Sequence, residues 1–504
     1  MQPRHLFILA TAVGAWLGYA NPLAQLPLAA LLLPAGLMVL GQNAATLRDA
    51  FRQAWLAGSL AALGCLYWVY WPVEHFGGMH WLLALPLPVL LSLAMGAYFG
   101  LFGLAAHLAA RRLTPLNGLL FLGLAWTLME MAVATLLSGF PWLTLSSAFV
   151  PWTVVVLPAS WIGAYGLSGV LALIACGAVL GRGSRPCAAV AAVAALLVLG
   201  VGLFTLRTYT EDAQPRTVAI VQGNIDQSLK WDNSYQAATV ARYVDLSRKI
   251  QITAKPALII WPETAMPFYL QDDTPLRKPV LDFLASTNAT LLLGSPAYTL
   301  GHGDYSLFNR AYLLSGASAP TWYDKEHLVP FGEYMPLSQW LPLDKLVHGV
   351  GDFAPGHDQK PLYTGDLAVG MLICYEAIFP ELAQERVSQG ANLICIISND
   401  AWFGATSAPL QHLSLTALRA IEQGRWIVRS TNTGISAFID PLGRIHRAGP
   451  QFVPLAAAWQ VHARTQITPF HKYYRALLAC AGLLAALFAA LLLLGGAAPA
   501  RKRP

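Results

Sequence analysis

The first 207 residues of this 504-residue chain contain no lysine, and only Asp49, Glu74 and Glu130 carry negative charge there. Charged residues make up 12% of the whole chain, against about 25% in ordinary soluble domains. Mean hydropathy is +0.50. A segment so long and so poor in charge cannot present a water-facing surface along its length. The chain also lacks any Cys-x-x-Cys pair or Cys/His cluster at metal-ligand spacing, which excludes the usual zinc and dithiol motifs. It has no Lys/Arg-rich run interleaved with aromatics, so its net charge of +6 does not point to nucleic acid. No metal, nucleotide or other cofactor motif is apparent. His327, two residues past Lys325, reads as structural, since no second ligand stands at metal spacing.

What the chain does have is long apolar runs. They lie near 6–22, 24–41, 54–72, 81–109, 117–138, 155–181, 187–206 and 473–496, each of a length to cross a hydrocarbon core of roughly 30 Å. The first run has no convincing signal cleavage site, and six more follow before the composition changes. The chain therefore divides into an N-terminal membrane domain of about seven helices over 1–211, a soluble domain over 212–466, and a C-terminal helix with a basic "RKRP" tail over 467–504. Arg48 and Arg52, Arg111 and Arg112, and Arg182 and Arg185 occupy alternate loops, while the loops between carry no Lys or Arg. Positive charge marks the cytoplasmic side. Both termini are then cytoplasmic, and the soluble domain is periplasmic in a bacterium. On that outer side lies the aromatic loop "GFPWLTLSSAFVPWT". Its Trp142 and Trp152 read either as interfacial belt residues or as the lining of a lipid entrance. Glu130, within the fifth run, is either a functional intramembrane acid or one satisfied by interhelical hydrogen bonds.

The soluble part alternates strand and helix. "TVAIVQGN" (217–224), "ALIIWPET" (257–264), "TLLLGSPAY" (290–298), "LAVGMLICYE" (367–376), "NLICIISND" (392–400) and "WIVRSTNTG" (426–434) read as buried strands. The stretches 233–254, 275–287, 381–389 and 409–423 read as amphipathic helices. Such alternation predicts an α/β domain with helix-covered sheets. Several strands run into polar residues at their C-terminal ends, where ligand sites in α/β sheets gather.

Reactive groups stand there. Glu263 follows Trp-Pro at a strand end, where partial desolvation suits it to general-base work. Lys325 in "WYDKEHLVPFGEYMP" could set an ammonium beside a developing oxyanion, with Glu333 eight residues on. Cys374 ends the apolar run of "LICYE", with Glu376 two residues later. Taken singly, each has a bland reading: a capping acid, a solvated lysine, a core thiol. Cys395, flanked by isoleucines in mid-run, is the competing cysteine and reads as core, where burial makes a thiol inert. Asn399 and Asp400 read as residues that order the adjoining loop.

Together the stretches "PET", "YDKEHLVPFGE", "LICYE…FP" and "SNDAWFG" resemble the nitrilase (carbon–nitrogen hydrolase) superfamily. With seven apolar runs before them, one after, and "QGNIDQSLKW" opening the domain, nearly the whole chain resembles the apolipoprotein N-acyltransferases of the bacterial inner membrane. The resemblance implies an αββα sandwich and a Glu263–Lys325–Cys374 triad. Cys374 would be the nucleophile, Glu263 the general base, and Lys325 part of the oxyanion site. Glu333, Tyr375 and Glu376 would be accessory active-site residues, and Trp231 an aromatic on a mobile loop at the lipid entrance, with Trp142 nearby. The implied reaction is ping-pong. A phospholipid donates its sn-1 acyl chain to the cysteine, and the thioester passes it to the α-amine of an S-diacylglyceryl apolipoprotein. The partners expected are those two lipids and the bilayer.

The residue chemistry suits that reaction. A covalent intermediate avoids holding two bulky lipids at once, and a thioester acylates an amine more readily than a serine ester does. The alternatives are a membrane-tethered amidase or nitrilase acting on a small C–N substrate, and a transporter or scaffold carrying an inactive copy of the domain. Eight apolar runs exceed what a tether needs. An inactive copy would be expected to have lost the Cys or the Lys. In this reading Glu376 orients and charge-balances Lys325.

Overall fold

The computed structural model describes residues 3–211, 214–300, 305–316, 318–335 and 352–494. The basic tail lies outside them. Apolar helices α1 (Pro3–Gly18), α2 (Leu32–Asn43), α3 (Leu47–Leu66), α4 (Pro86–Arg112), α5 (Pro115–Thr135), α6 (Ala159–Leu180) and α7 (Arg185–Thr208) precede the soluble domain. Six stretches among the described residues, the C-terminal helix included, have the length and hydropathy to cross a membrane; 4–18 and 27–43 are shorter. Asn21 explains the first shortening. Its side chain accepts from the N–H groups of Leu23 and Ala24 and donates to the carbonyls of Trp16 and Ala24. The chain is turned where the predicted 6–22 run would have continued. Small residues let α3 and α4 touch: a Cβ on Gly103 would sit 2.3 Å from the Ala54 methyl. Without a hydrophobic drive between helices in lipid, such close packing is what holds them together.

The soluble domain holds two six-stranded sheets. The first runs in the order β12-β1-β2-β3-β4-β5 and the second β11-β10-β9-β8-β7-β6. The strands are β1 (Pro215–Gln222), β2 (Leu258–Ile260), β3 (Thr290–Leu300), β4 (Tyr305–Leu314), β5 (Thr321–Asp324), β6 (Leu362–Thr364), β7 (Leu367–Ile373), β8 (Leu393–Ser398), β9 (Ile427–Thr431), β10 (Ala437–Ile439), β11 (Ile445–His446) and β12 (Leu455–His462). β1-β2-β3 and β7-β8-β9 are parallel. Helices α8 (Asn233–Ala254) and α9 (Lys278–Ala285) belong to the first sheet's half of the chain; α10 (Pro380–Ser388) and α11 (Ala408–Gln423) belong to the second's.

Strand alternation sorts the side chains into layers. Val218 and Ile220 of β1 meet Val369, Met371 and Cys395 between the sheets. Ala219 and Val221 point the other way, toward Val240 and Val244 of α8. This is the αββα sandwich the motifs imply. The outer face of the second sheet's central strands is covered by α11 and the membrane domain. Ile394 and Ile396 share one apolar core with Leu415 and Leu418 of α11 and with Leu37, Trp126 and Leu167 of the membrane helices. One continuous core thus fuses the second sheet to the bundle. Helix α6 is broken at Gly163, φ 73°, and the Ala164 N–H freed there donates to Glu422 of α11 at 2.7 Å. A final helix, α12 (Pro469–Leu494), returns the chain alongside the bundle.

Candidate active site

Cys374 follows the last residue of β7 and opens a short 3-10 turn. Its φ is +54°. A side chain held in that left-handed region costs roughly 1–3 kcal/mol and persists only where the surroundings enforce it. The turn ends the strand sharply and lifts the thiol out of the ladder. Burial pushes the Cys374 thiol up, Glu263 pushes it further, and Lys325 opposes both. The resting group is therefore a neutral thiol that feels both other members of the implied triad.

Glu263 reaches the same place from β2, across the two sheets. It is 6% exposed. One carboxylate oxygen accepts from Asn309 Nδ2 at 2.7 Å, the other from the Asn399 N–H at 2.8 Å. Burial raises its proton affinity; Lys325 opposes this and Glu333 adds to it. The turn needs Gly294 beside it, where a Cβ would lie 2.7 Å from the Glu263 Cα and 2.5 Å from the Thr264 nitrogen. The Lys325 ammonium stands 3.7 Å from Glu263 and 2.8 Å from Glu333. Burial alone would lower its affinity for a proton, yet Glu333 and Glu263 hold it well above the ordinary lysine range. A buried charge is tolerated when paired in this way. Glu333 also accepts from the Val329 N–H at 2.8 Å, which closes its own loop.

Glu376 is fully buried and does something different from the charge balance expected of it. Its carboxylate accepts from the N–H groups of Glu326 (2.7 Å), His327 (3.0 Å) and Ile373 (2.6 Å), and from the Tyr323 hydroxyl (2.7 Å). The lysine charge goes to Glu333 and Glu263 instead. Glu376 therefore acts on backbone: it clamps the residues just after Lys325 to the residue just before Cys374. Tyr375 donates its hydroxyl to the Gly139 carbonyl at 2.7 Å, in the loop after α5. His327 binds the neighbouring Ser138 carbonyl at 2.9 Å. The Cys374 turn thus rests directly on the membrane domain.

Trp231 lines a groove of about 490 Å³ with Pro267, Phe268 and Tyr269, beyond the Glu263 turn. Trp142 does not line an open mouth. It is 2% exposed, packed against Trp68, Phe140 and Phe403, and donates to Gln411 at 2.7 Å. The soluble domain roofs its loop, which removes it from both lipid and water; Trp152 is the exposed one. Glu130 accepts from Trp126 Nε1 and the Leu145 N–H, each at 2.8 Å. Cys395 is buried in mid-strand between the sheets, and all cysteines are free.

Several residues of the site carry no local signal. Asn309 of β4 bridges Glu263 and Glu333. Lys230, next to Trp231, is buried with its ammonium 3.4 Å from the Glu263 carbonyl; burial pushes it down to about 8, with Glu263 opposing. His412 sits 3.1 Å from the Cys374 carbonyl. The "QSLKW" and "QH" stretches could have flagged Lys230 and His412 as polar groups in apolar settings. Nothing in the sequence marks Asn309.

A thiol at a strand-end turn, a buried Glu and a Lys–Glu pair in an αββα sandwich define a carbon–nitrogen hydrolase-type site, here set on a helical membrane bundle. Comparison with known proteins supports both parts. Residues 217–458 match the carbon-nitrogen hydrolase family, and residues 11–177 match the apolipoprotein N-acyltransferase N-terminal domain. The chain is 35% identical over 472 residues to an apolipoprotein N-acyltransferase of Geobacter metallireducens, covering 89% of this chain and 88% of that one. It is 34% identical over 482 residues to one of Pseudomonas putida, covering 94% and 93%. The chain belongs to the apolipoprotein N-acyltransferase family.

Proposed function

We propose that this protein moves an acyl chain from a membrane phospholipid to the α-amine of a diacylglyceryl apolipoprotein, by way of a thioester on Cys374. The observation that carries the reading is the seat of the nucleophile. Tyr375, the next residue, is bonded to Gly139 of the membrane domain, and the half-sheet behind it shares its core with the bundle. A hydrolase of small soluble amides has no use for a nucleophile placed against a lipid-embedded scaffold.

In the first half-reaction Glu263 takes the Cys374 proton as sulfur attacks the ester carbonyl. Charge then builds on the carbonyl oxygen, and the Lys325 ammonium is the buried cation at hand to meet it. A donor of this kind contributes on the order of 3 kcal/mol. Collapse breaks the C–O bond, and Glu263 returns the proton to the leaving glycerol oxygen. In the second half-reaction the lipoprotein amine attacks the thioester and loses its proton to Glu263, and the thiol is expelled and reprotonated. Asn309 and the Asn399 N–H hold Glu263 in place, and Glu376 keeps the lysine loop and the nucleophile turn in register. The arginine pattern of the loops supports an inner-membrane enzyme with a periplasmic catalytic domain over about 212–466 and both termini in the cytoplasm.

The test is the intact mass of the purified protein after incubation with phospholipid. An acyl adduct on the peptide containing Cys374, discharged by a diacylated lipopeptide, is the expected result. An adduct that survives in Cys374→Ala, or release of ammonia from small amides with no lipid transfer, would overturn it.

A further inference from the structure

Cys374 keeps an unfavourable backbone conformation, so something must hold it. Glu376 supplies part of the hold from within the turn; a second part comes from α11, through a buried cluster outside the triad. His412 is fully buried, with Nε2 3.1 Å from the Cys374 carbonyl oxygen. Its Nδ1 lies 3.0 Å from Arg429 Nη2 and 3.5 Å from Asp400 Oδ1. Asp400 is itself tied to Arg429 at 2.7 Å and to the Ser398 hydroxyl at 2.6 Å. A guanidinium only donates and a carbonyl only accepts. The carbonyl therefore requires a proton on Nε2, aimed at Cys374; at Nδ1 the Arg429 donor at 3.0 Å competes with the Asp400 acceptor at 3.5 Å, and the closer Arg429 favours the neutral Nε2–H imidazole.

The residue before His412 faces the other way. Gln411 Oε1 accepts from both Trp142 Nε1 (2.7 Å) and Trp68 Nε1 (3.1 Å), and its amide donates to the Cys65 carbonyl at 3.1 Å. All three partners belong to the membrane domain. Adjacent residues on one helix thus grip the bundle on one side and the nucleophile on the other. The Trp142 ring also packs on the His412 ring, centroids 5.6 Å apart.

We propose that His412 is a positioning residue for acyl transfer: its Nε2–H anchors the Cys374 carbonyl, and Gln411 registers that anchor against the membrane bundle. The proposal rests on the reading of Cys374 as the nucleophile. It assigns a purpose to the Asp400–Arg429 pair: Asp400 holds the guanidinium, and the guanidinium holds the imidazole ring by Nδ1. It also gives a physical reason for the catalytic domain to be built onto its bundle.

The experiment compares His412→Gln, whose side-chain amide can donate from about the Nε2 position, with His412→Met, which fills the space without a donor. Thioester formation on Cys374 is followed in full-length protein with phospholipid vesicles. His412→Met should lower the rate constant on the order of 10²-fold, as a small misplacement of a reacting group does, with the phospholipid KM unchanged. His412→Gln should recover most of that loss. Equal rates in all three proteins, or a Gln variant as slow as the Met variant, would overturn the proposal. A second measurement needs no variant that must fold. Histidine ¹⁵N spectra of the native protein at pH 7 should contain a neutral Nε2–H imidazole that shifts on acylation of Cys374. An imidazolium or an Nδ1–H tautomer at His412 would overturn it. Cys374→Ala separates the two readings. If it still acquires an acyl adduct, the nucleophile assignment fails; if it does not, and His412→Met acylates normally, only the present inference fails.

Discussion

The two strand-end turns of the site are built alike and supported differently. Both follow a strand with a parallel neighbour, and both contain a non-glycine residue with positive φ, Thr264 at 48° and Cys374 at 54°. The Glu263 turn is held from within the soluble domain, by Asn309, Asn399 and the close approach of Gly294. The Cys374 turn is held by Glu376 inside that domain, but also by Tyr375 on Gly139 and by the His412–Gln411 pair on the bundle. The Glu263 turn is thus a property of the sandwich alone. The Cys374 turn is shared between sandwich and membrane.

The sharpest way to break this comparison is at the reacting atoms. Cys374→Ser should leave a folded protein with no acyl-thioester, read by intact mass, whereas Cys395→Ala should acylate normally because that thiol is packing. Next, Glu263→Gln should slow thioester formation by about 10²–10⁴-fold; its amide can accept from only one of Asn309 and Asn399, so a modest fall in melting temperature should accompany the loss. The pH profile should carry the same signature. Burial holds Glu263 protonated above the usual carboxylate range, and a base works only when deprotonated. The rate of acylation should therefore fall as pH drops through that raised value, at a higher pH than an exposed glutamate would give. Glu376→Gln should impair turnover by loosening the lysine loop while Cys374 remains open to alkylation; unimpaired turnover would remove Glu376 from the site. The smallest effects belong to the membrane side. Tyr375→Phe removes one hydrogen bond and should cost about 1 kcal/mol of stability. Gln411→Leu leaves two buried indole N–H groups unpaired, at about 1–3 kcal/mol each. Denaturation of the full-length protein reads both.

Much of this was legible residue by residue. The strands carrying Glu263, Cys374 and Asn399 stand out because buried parallel strands are continuous apolar runs that stop at polar groups. Helices 233–254 and 409–423 stand out by their amphipathic spacing and appear as α8 (Asn233–Ala254) and α11 (Ala408–Gln423). β4 and β12 were not legible. "YSLFNRAYLL" mixes Asn309 and Arg310 into its run because one side of it faces the site, and "LAAAWQVH" is an alanine-rich edge strand whose small side chains give no alternating signal. The placing of Trp142 was the plainest surprise. An aromatic loop between apolar helices looks like a membrane-interface belt until a domain more than 200 residues later covers it.

The sequence by itself determined the division into bundle and sandwich, the chemical types at the strand ends, and the family, because hydropathy, periodicity and motif spacing are local properties of the chain. Only the tertiary structure decided that Glu376 clamps backbone instead of pairing with Lys325, that Asn309 joins two carboxylates, and that His412 reaches the Cys374 carbonyl. Those contacts join residues 24 to 53 positions apart. They exist because two sheets and a bundle close on one another, and a directional hydrogen bond forms only once distance and angle are set by that packing.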